Sequence, residues 1–472
     1  MSRLWSSGFE LQSVTSGVEW NTTTNSPTID TTTKRSGAAS LRCNTSATTA
    51  YITHAVHPSS GGPFAFFLRA YIYIVDASGM SSDAIMSIVD GSGDAVQIRL
   101  NSDRTLELWA YTGTASFEQK GSDSSAITAN EWHYIELYCK ADFDGGTYTA
   151  KIDGTQFATG SGGLYTGRYD PDGVRVGVIT SGTADIYFDD VAVNDDTGAT
   201  QNSWPGAGSI VHMQVDGNGD VQEQNAGDWD ELDDVTPDDG TYIELDDAND
   251  DVLFTLESSS NAGIASGSTI NVVQVGYRHR AETAAAAGFT PYLEGQSSGT
   301  KQNGTAFTHN DTTWRTNGDA APRNYKLTSY TNPQDSAAWE TSDLDTMQIG
   351  GICTDATPDF WISSMWALVD YIQVGSFSPS KSPSISPSKS PSISPSLSSS
   401  TSPSLSPSVS PSASLSPSVS PSLSPSLSPS LSPSISPSPS EGASFSPSIS
   451  QSISPSVSPS ASLSPSLSPS LS

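Results

Sequence analysis

Proline recurs at nearly every fourth position through residues 377–472, a stretch of 96 residues that holds 20 of the 30 prolines in the chain. A residue that fixes φ and lacks an N–H at that spacing forbids a helix and removes donors from any strand ladder. The repeat reads Ser-Pro-Ser-x, with x drawn from Leu, Ile, Val, Ala or Lys. In polyproline II, with three residues per turn, x rotates by about 120° per repeat and no apolar seam forms. In a β conformation the serines would face one side and Pro plus x the other, an amphipathic ribbon able to associate. Disorder or polyproline II is the expectation for 377–472, and its dense serines are also candidate sugar acceptors, as in mucin-like stalks. The stretch has no tryptophan and only Lys381, Lys389 and Glu441 as charges, so the fold must lie before it.

The preceding 376 residues carry 18 basic and 50 acidic side chains, a net charge of −32. Nucleic acid is therefore not expected as a partner, because phosphate binding needs a basic stripe. The opening residues Met1 to Gly8 hold one basic residue and no apolar core of a secretory signal. No run approaches the length of a membrane span, so no membrane partner is expected. Cys43, Cys139 and Cys353 are odd in number and far apart, which argues against a disulfide framework. Folding in a cytoplasm followed by release without secretion fits these features. Virion assembly is one such history, and a processed secreted protein is another.

Period-2 alternation recurs through the body, whereas helical periodicity is hard to find. Phe66, Leu68, Ala70, Ile72 and Ile74 share one strand face, as do Val96, Ile98 and Leu100, then Leu106, Leu108 and Ala110, then Ile135, Leu137 and Cys139. Gly, Ser, Asn and Asp bound these runs. Ala281 to Ala287 could be helical but is short enough for a loop or single turn. The expected class is all-β: two antiparallel jelly-roll β-sandwich domains, 1–197 and 208–375, plus the low-complexity Ser/Pro-rich tail. Strand patterns at 209–214 and 365–374 predict that the termini of the second domain pair in one sheet.

Opposite the aliphatic faces of the first domain lie Arg69, Tyr71 and Tyr73, then Gln97 and Arg99, then Glu107, Trp109 and Tyr111, then Tyr134, Glu136 and Tyr138. Rings bracketed by planar hydrogen-bonding groups suit sugars, whose C–H faces stack while their hydroxyls pair. Arg69, Tyr71, Tyr73, Arg99, Trp109, Tyr111 and Tyr134 are the glycan-binding candidates. The alternative is that loops, the other domain or another subunit cover this face. If the terminal strands of the domain pair, Glu10 approaches Asp189 and Asp190, an oxygen set suited to a structural Ca²⁺.

Phe9-Glu10 with Trp20, Ser36 to Arg42, Glu131-Trp132-His133-Tyr134-Ile135-Glu136, Gly146-Thr147-Tyr148 with Ile152-Asp153-Gly154, and Phe188-Asp189-Asp190-Val191 occur in that order. In this combination Phe9 to Val193 resembles concanavalin A-like and laminin-G-like jelly rolls, including related carbohydrate-binding modules. The resemblance implies a two-sheet sandwich, often with calcium, in a binding or structural role. Residues Asp228 to Leu232, Pro237 to Ile243, Asp251 to Phe254, Val272 to Val275, Asn332-Pro333 with Ala338-Trp339, and Met347 to Gly350 resemble a module recurrent in structural proteins of tailed phages. That resemblance implies a virion surface or tail setting, with other virion proteins or further copies of the chain as partners.

No catalytic constellation emerges. Glu244 and Asp246 share a strand face, but Ala248 and Asn249 stand where a glycosidase's second glutamate would be. Asp216 to Asp220 opens like a calcium loop, yet Val221 and Gly227 replace the turn glycine and closing glutamate. The six histidines have no metal-ligand spacing. The reading is a non-enzymatic structural or surface protein of a tailed-phage virion, assembled in the host cytoplasm, with glycan or host-surface binding through its jelly rolls. Two alternatives stand beside it: a microbial extracellular or cell-surface protein whose glycosylated repeat forms a stalk or fibre, and a polysaccharide-degrading jelly roll.

Overall fold

The computed structural model describes residues 3–56 and 65–375, apart from positions 92, 114, 143, 165–170, 318–323 and 356. The Ser-Pro repeat and the expectation attached to it lie outside the described residues, as does His57. The protein is all-β, with two antiparallel sheets of 13 and 11 strands curled into sandwiches. Helix among the described residues is confined to single turns at Trp229–Glu231 and Thr341–Leu344. The alanine-rich 281–287 segment is a loop: Thr269–Ala281 ends as it begins and Ala287–Glu294 starts as it closes.

The alternating residues that predicted strands are the ones that build the first core. Phe66, Leu68, Ala70, Ile72 and Ile74 are buried, and so are the inward residues of Gly93–Leu100, Leu106–Tyr111 and Trp132–Lys140. The strand Gly173–Asp195 shapes the curl. Ser40–Ala55 pairs along it from Gly173 to Phe188, and on its other side Asp83–Asp90 pairs with its first residues and Ala65–Gly79 with its second half, while Arg3–Ser7 joins at its end. Register shifts at Val178/Gly182 and Asp189/Ala192 mark where the ladder is interrupted, and such bulges bend a strand. The layer containing Trp132–Lys140 consequently comes to face the layer containing Gly93–Leu100. In the second sheet Ser209 pairs with Tyr371 and Gln214 with Trp366, so its two ends lie side by side as the sequence pattern implied.

The two sandwiches share more than a linker. Ile210, Tyr325, Trp366 and Leu368 pack into the first core. Between the sheets sits the fully buried Asp370, whose Oδ2 accepts from Arg3 Nη1 at 2.6 Å and Arg69 Nη2 at 3.3 Å, while Oδ1 accepts from Asn271 at 3.0 Å. Arg3 also donates to Asn194 at 2.6 Å, and Arg69 to the carbonyls of Asp190 and Gly206. Gly208 passes so close that a Cβ would lie 2.6 Å from Arg69 Nη1 and 2.8 Å from Asp370 Oδ1, which leaves room only for glycine. Burial by itself would raise the Asp370 carboxyl, but Arg69 and Arg3 outweigh it and hold the group below its ordinary 3.8.

Removing one partner of a buried ion cluster strands the others without compensation. Asp370→Asn is expected to lower unfolding free energy by about 3–5 kcal/mol in urea titrations at neutral pH. Because the folded-state value is depressed, the stabilisation from this carboxylate is complete above pH 3.8 and is lost as pH falls through the lower folded value. The difference between wild type and variant should therefore narrow on acidification.

Candidate functional site

The aromatic and polar face read from the sequence divides into a covered half and an open half. Residues 204–208, which connect the sandwiches, lie across the first half. Trp204 packs against Phe67 and Tyr138, with ring centroids 5.4 and 5.8 Å away, and Lys151 Nζ stands 3.7 Å over its ring. Gly206 N–H donates to Glu136 at 2.8 Å, and Gly208 N–H to the Tyr71 hydroxyl at 3.3 Å. Arg35 lies 3.5 Å over the Tyr71 ring, and Tyr134 packs on Tyr71 at 5.4 Å. Arg69, Tyr71 and Tyr134 are accordingly buried, and no sugar can reach them in this fold. Tyr73 is half-buried against Trp132 and Tyr187. Two strands separate its own strand from Gly93–Leu100, so it is not part of the open half.

Arg99, Trp109 and Tyr111 remain half-buried at the surface. Strand pairing sets Gln97 opposite Trp109 and Arg99 opposite Glu107. The indole N–H donates to Glu107 Oε2 at 2.7 Å, and Asn101 donates to Oε1 at 2.9 Å. Burial pushes the Glu107 carboxyl up, but hydrogen bonds from Asn101, Ser82 and Trp109 prevail and hold it below the usual range. Glu107 is thus an anchor for the indole. Arg99 lies 4.3 Å over Trp109 and 4.8 Å over Phe117, and its Nε donates to Gln97 at 2.8 Å. Gln97 is fixed in turn by Asp94, which pairs with Arg175. No protein acceptor meets the two terminal nitrogens of Arg99 among the described residues.

A second cation–aromatic cluster lies on the other sheet, and the sequence reading missed it. Register places Glu244, Trp361 and Arg280 side by side on three adjacent strands. Tyr242 stacks on Trp361 at 4.2 Å, and Arg280 covers it at 4.1 Å and reaches Trp314 at 5.2 Å. These residues are far apart in the chain, so only strand pairing reveals them as one group.

The acidic expectation concerned Glu10, Asp189 and Asp190, and pairing of Arg3–Ser7 with Gly173–Asp195 does bring them to one loop. Glu10 Oε2 accepts from Ala38 N–H at 2.7 Å, Asp189 Oδ2 from Arg35 N–H at 2.8 Å, and Asp190 Oδ1 from the Ser36 hydroxyl at 2.6 Å. Gly37 has φ +57°, and a Cβ there would fall 1.7 Å from Glu10 Oε1. Among the described residues no group of three or more His, Cys, Asp or Glu is arranged as a ready set of metal ligands. The aspartate oxygens are taken by N–H and O–H donors, whereas Glu10 Oε1 is buried without a partner. It adjoins a cavity of about 290 Å³ between the sandwiches, lined also by His212, Gln214 and Glu257. Burial, then the charge of Asp189, raises the Glu10 carboxyl well above its ordinary value; burial, then Asp190, does the same to Asp189. Among the described residues Arg35 is the one cation paired with these three acids. The site therefore fits a group that supplies positive charge, either a proton or a metal ion, at one carboxylate oxygen.

No known protein family matches the chain, and no curated protein matches it. Solved structures with similar shape include the cellulose-induced protein Cip1, at 17% identity and TM-score 0.32 over 43% of this chain and 99% of that one. The carbohydrate esterase vb_24B_21 of Shiga toxin-encoding bacteriophage phi24B matches at 15% identity and TM-score 0.31, over 41% and 97%. Domain 4 of the arabinanase AbnA of Geobacillus stearothermophilus matches at 11% and 0.28, over 41% and 92%. None of these values is high enough to transfer a ligand or an activity. Among the described residues no helix is long and apolar enough to cross a membrane.

Glu19 is also buried, which raises its carboxyl to about 7. Acids raised on folding hold protons that the unfolded chain releases above about pH 4.5, so stability falls as pH rises from there through the folded-state values. In chelator, urea titrations between pH 5 and 8 should show this decline, with each proton contributing a slope of up to about 1.4 kcal/mol per pH unit. Glu10→Gln should reduce the slope and match or exceed wild-type stability at the alkaline end.

Proposed function

We propose that this chain is a non-catalytic, glycan-binding structural protein, displayed on the surface or tail of a tailed-phage virion. The observation that carries the binding reading is the Arg99–Trp109 platform. Its indole is locked by Glu107, its guanidinium is positioned by Gln97, and the terminal nitrogens of Arg99 have no protein acceptor among the described residues. A sugar ring needs an apolar face and in-plane hydrogen-bonding groups beside it, and both stand here on rigid strands. Glu107, the carboxylate beside the indole, accepts from it and from Asn101 and Ser82 and is held ionised, which favours an anchoring role over that of a proton donor. The virion setting rests on the sequence likeness of residues 228–350 to modules of phage structural proteins, and purified particles probed for this chain by mass spectrometry test it.

Calcium is the second part of the reading, and its support is the partnerless Glu10 Oε1 within an undercompensated acidic loop. A divalent ion supplies there the positive charge that a proton otherwise supplies. Glu10 would be its side-chain ligand, with Asp189 and Asp190 contributing charge. Melting temperature should rise with Ca²⁺ over chelator in wild type and stay unchanged in Glu10→Gln; an equal response in both would remove calcium from this site.

For the platform, a glycan array with the full chain should give selective signals that Trp109→Ala reduces at least tenfold while leaving the melting temperature within a few degrees. Truncation of hot-spot aromatics costs about 2 kcal/mol or more. Equal binding by wild type and variant, or no signal from either, would overturn the assignment.

A further inference from the structure

A second feature of the first sandwich points to a different kind of site. His133 is the second residue of the strand Trp132–Lys140, and Asp153 occupies the tight turn between Thr147–Ile152 and Thr155–Ser161. Asp153 has φ +48° and is followed by Gly154 at +75°, a turn that carries the aspartate back over the neighbouring strand. Its carboxylate accepts from Tyr134 N–H at 3.1 Å and from His133 Nδ1 at 2.7 Å. The imidazole is thereby fixed in orientation, and in the neutral ring the proton sits on Nδ1 and the lone pair on Nε2. Nε2 is buried and has no hydrogen-bond partner. A buried acceptor without a donor needs a reason, and an absent bound group is one.

The same imidazole lines a cleft of about 490 Å³, within the size range of small-ligand sites. Ile127, Ile152 and Phe157 give it an apolar wall, and Asp123, Thr128 and Gln156 give it polar groups. Acceptors at His133 and Asp123 call for a ligand rich in O–H donors, and the Phe157 ring calls for one with a C–H face. A cationic amine would satisfy Asp123 but would leave the apolar wall unused.

We infer that this cleft binds a single sugar-sized, hydroxyl-bearing ring, one of whose hydroxyls donates to His133 Nε2 while its C–H face rests on Phe157. The site uses no residue of the Arg99–Trp109 platform, so the two stand or fall separately.

The full chain, labelled with ¹⁵N-histidine, is titrated at pH 8 with glucose, galactose, N-acetylglucosamine and, as a control, glycerol. Long-range ¹H–¹⁵N spectra report the tautomer and the Nε2 shift of each imidazole. The expected result is a saturable displacement of the His133 Nε2 resonance by at least one of the sugars. Phe157→Ala, read on the same resonance, and His133→Phe, read by calorimetric titration beside wild type, should each weaken that sugar's binding about tenfold, the loss of one stacking wall or one hydrogen bond. Trp109→Ala should leave the response intact. Phe157 is only partly buried, so its variant keeps the test open if His133→Phe fails to fold. A cleft that holds water alone would show no saturable shift with any sugar, or one equalled by glycerol, and would overturn the proposal. A sugar response unchanged by Phe157→Ala would overturn it as well.

Discussion

Asp370 buried between Arg3 and Arg69 is the interaction on which the rest of the molecule depends. Each of these groups, left without the others, would be a charge in a dry interior, at a cost of several kcal/mol. Together they draw the first strand of one sandwich, a central strand of the same sheet and the last strand of the other to a single point. That closure lays residues 204–208 over Tyr71 and Glu136. It also brings Ile210 N–H to Asp190 and so completes the acidic loop around Glu10. Cover, anchoring and the undercompensated acid pocket therefore share one cause.

The architecture was largely legible because strand side chains alternate with a strict period of two. Residues 66–74, 96–100, 106–110 and 135–139 announced their core faces, and those faces are buried. The pairing of residues 209–214 with 366–371 was also legible, since both runs lay at the ends of one unit. What alternation does not encode is the destination of the opposite face. Arg69 and Arg99 read alike in the alternation: each lies opposite the aliphatic face of its strand. One is buried under the second sandwich and the other is not. Asp370, 301 residues from Arg69, sits in an apolar run that reads simply as a terminal strand.

Net charge misled in a related way. A body at −32 suggests a solvated acidic surface, yet Glu10, Glu19, Asp189, Asp190 and Asp370 are all buried. Only geometry shows which of these is compensated. Asp370 has two guanidiniums and is held ionised, whereas Glu10 has one backbone donor and a partnerless oxygen. The sequence indicated that acids would meet near Glu10, since terminal strands had to pair. It could not indicate that backbone N–H groups of residues 35–38 would take one oxygen of Glu10 and one of Asp189, because that depends on the path of a loop held by a left-handed Gly37.

In a chain with 20 basic residues against 51 acidic ones, the use made of each arginine is informative. Arg3, Arg35, Arg42, Arg69, Arg175, Arg278 and Arg315 pair with carboxylates, and Arg104 donates to the Ile127 carbonyl. Arg99 and Arg280 instead lie over tryptophan and form no ion pair among the described residues. Acidic partners are plentiful here, and of the three described guanidiniums that take none Arg104 has the Ile127 carbonyl, which leaves Arg99 and Arg280 to be accounted for. A stacked guanidinium keeps its in-plane donors available while its face is desolvated by the ring. Donors left open to solvent thus concentrate where arginine has escaped neutralisation. Glu107 does not pair with Arg99 because Asn101, Ser82 and the Trp109 indole already occupy its oxygens. The hydrogen bonds that occupy Glu107 are therefore the same ones that leave the neighbouring guanidinium without a carboxylate partner among the described residues.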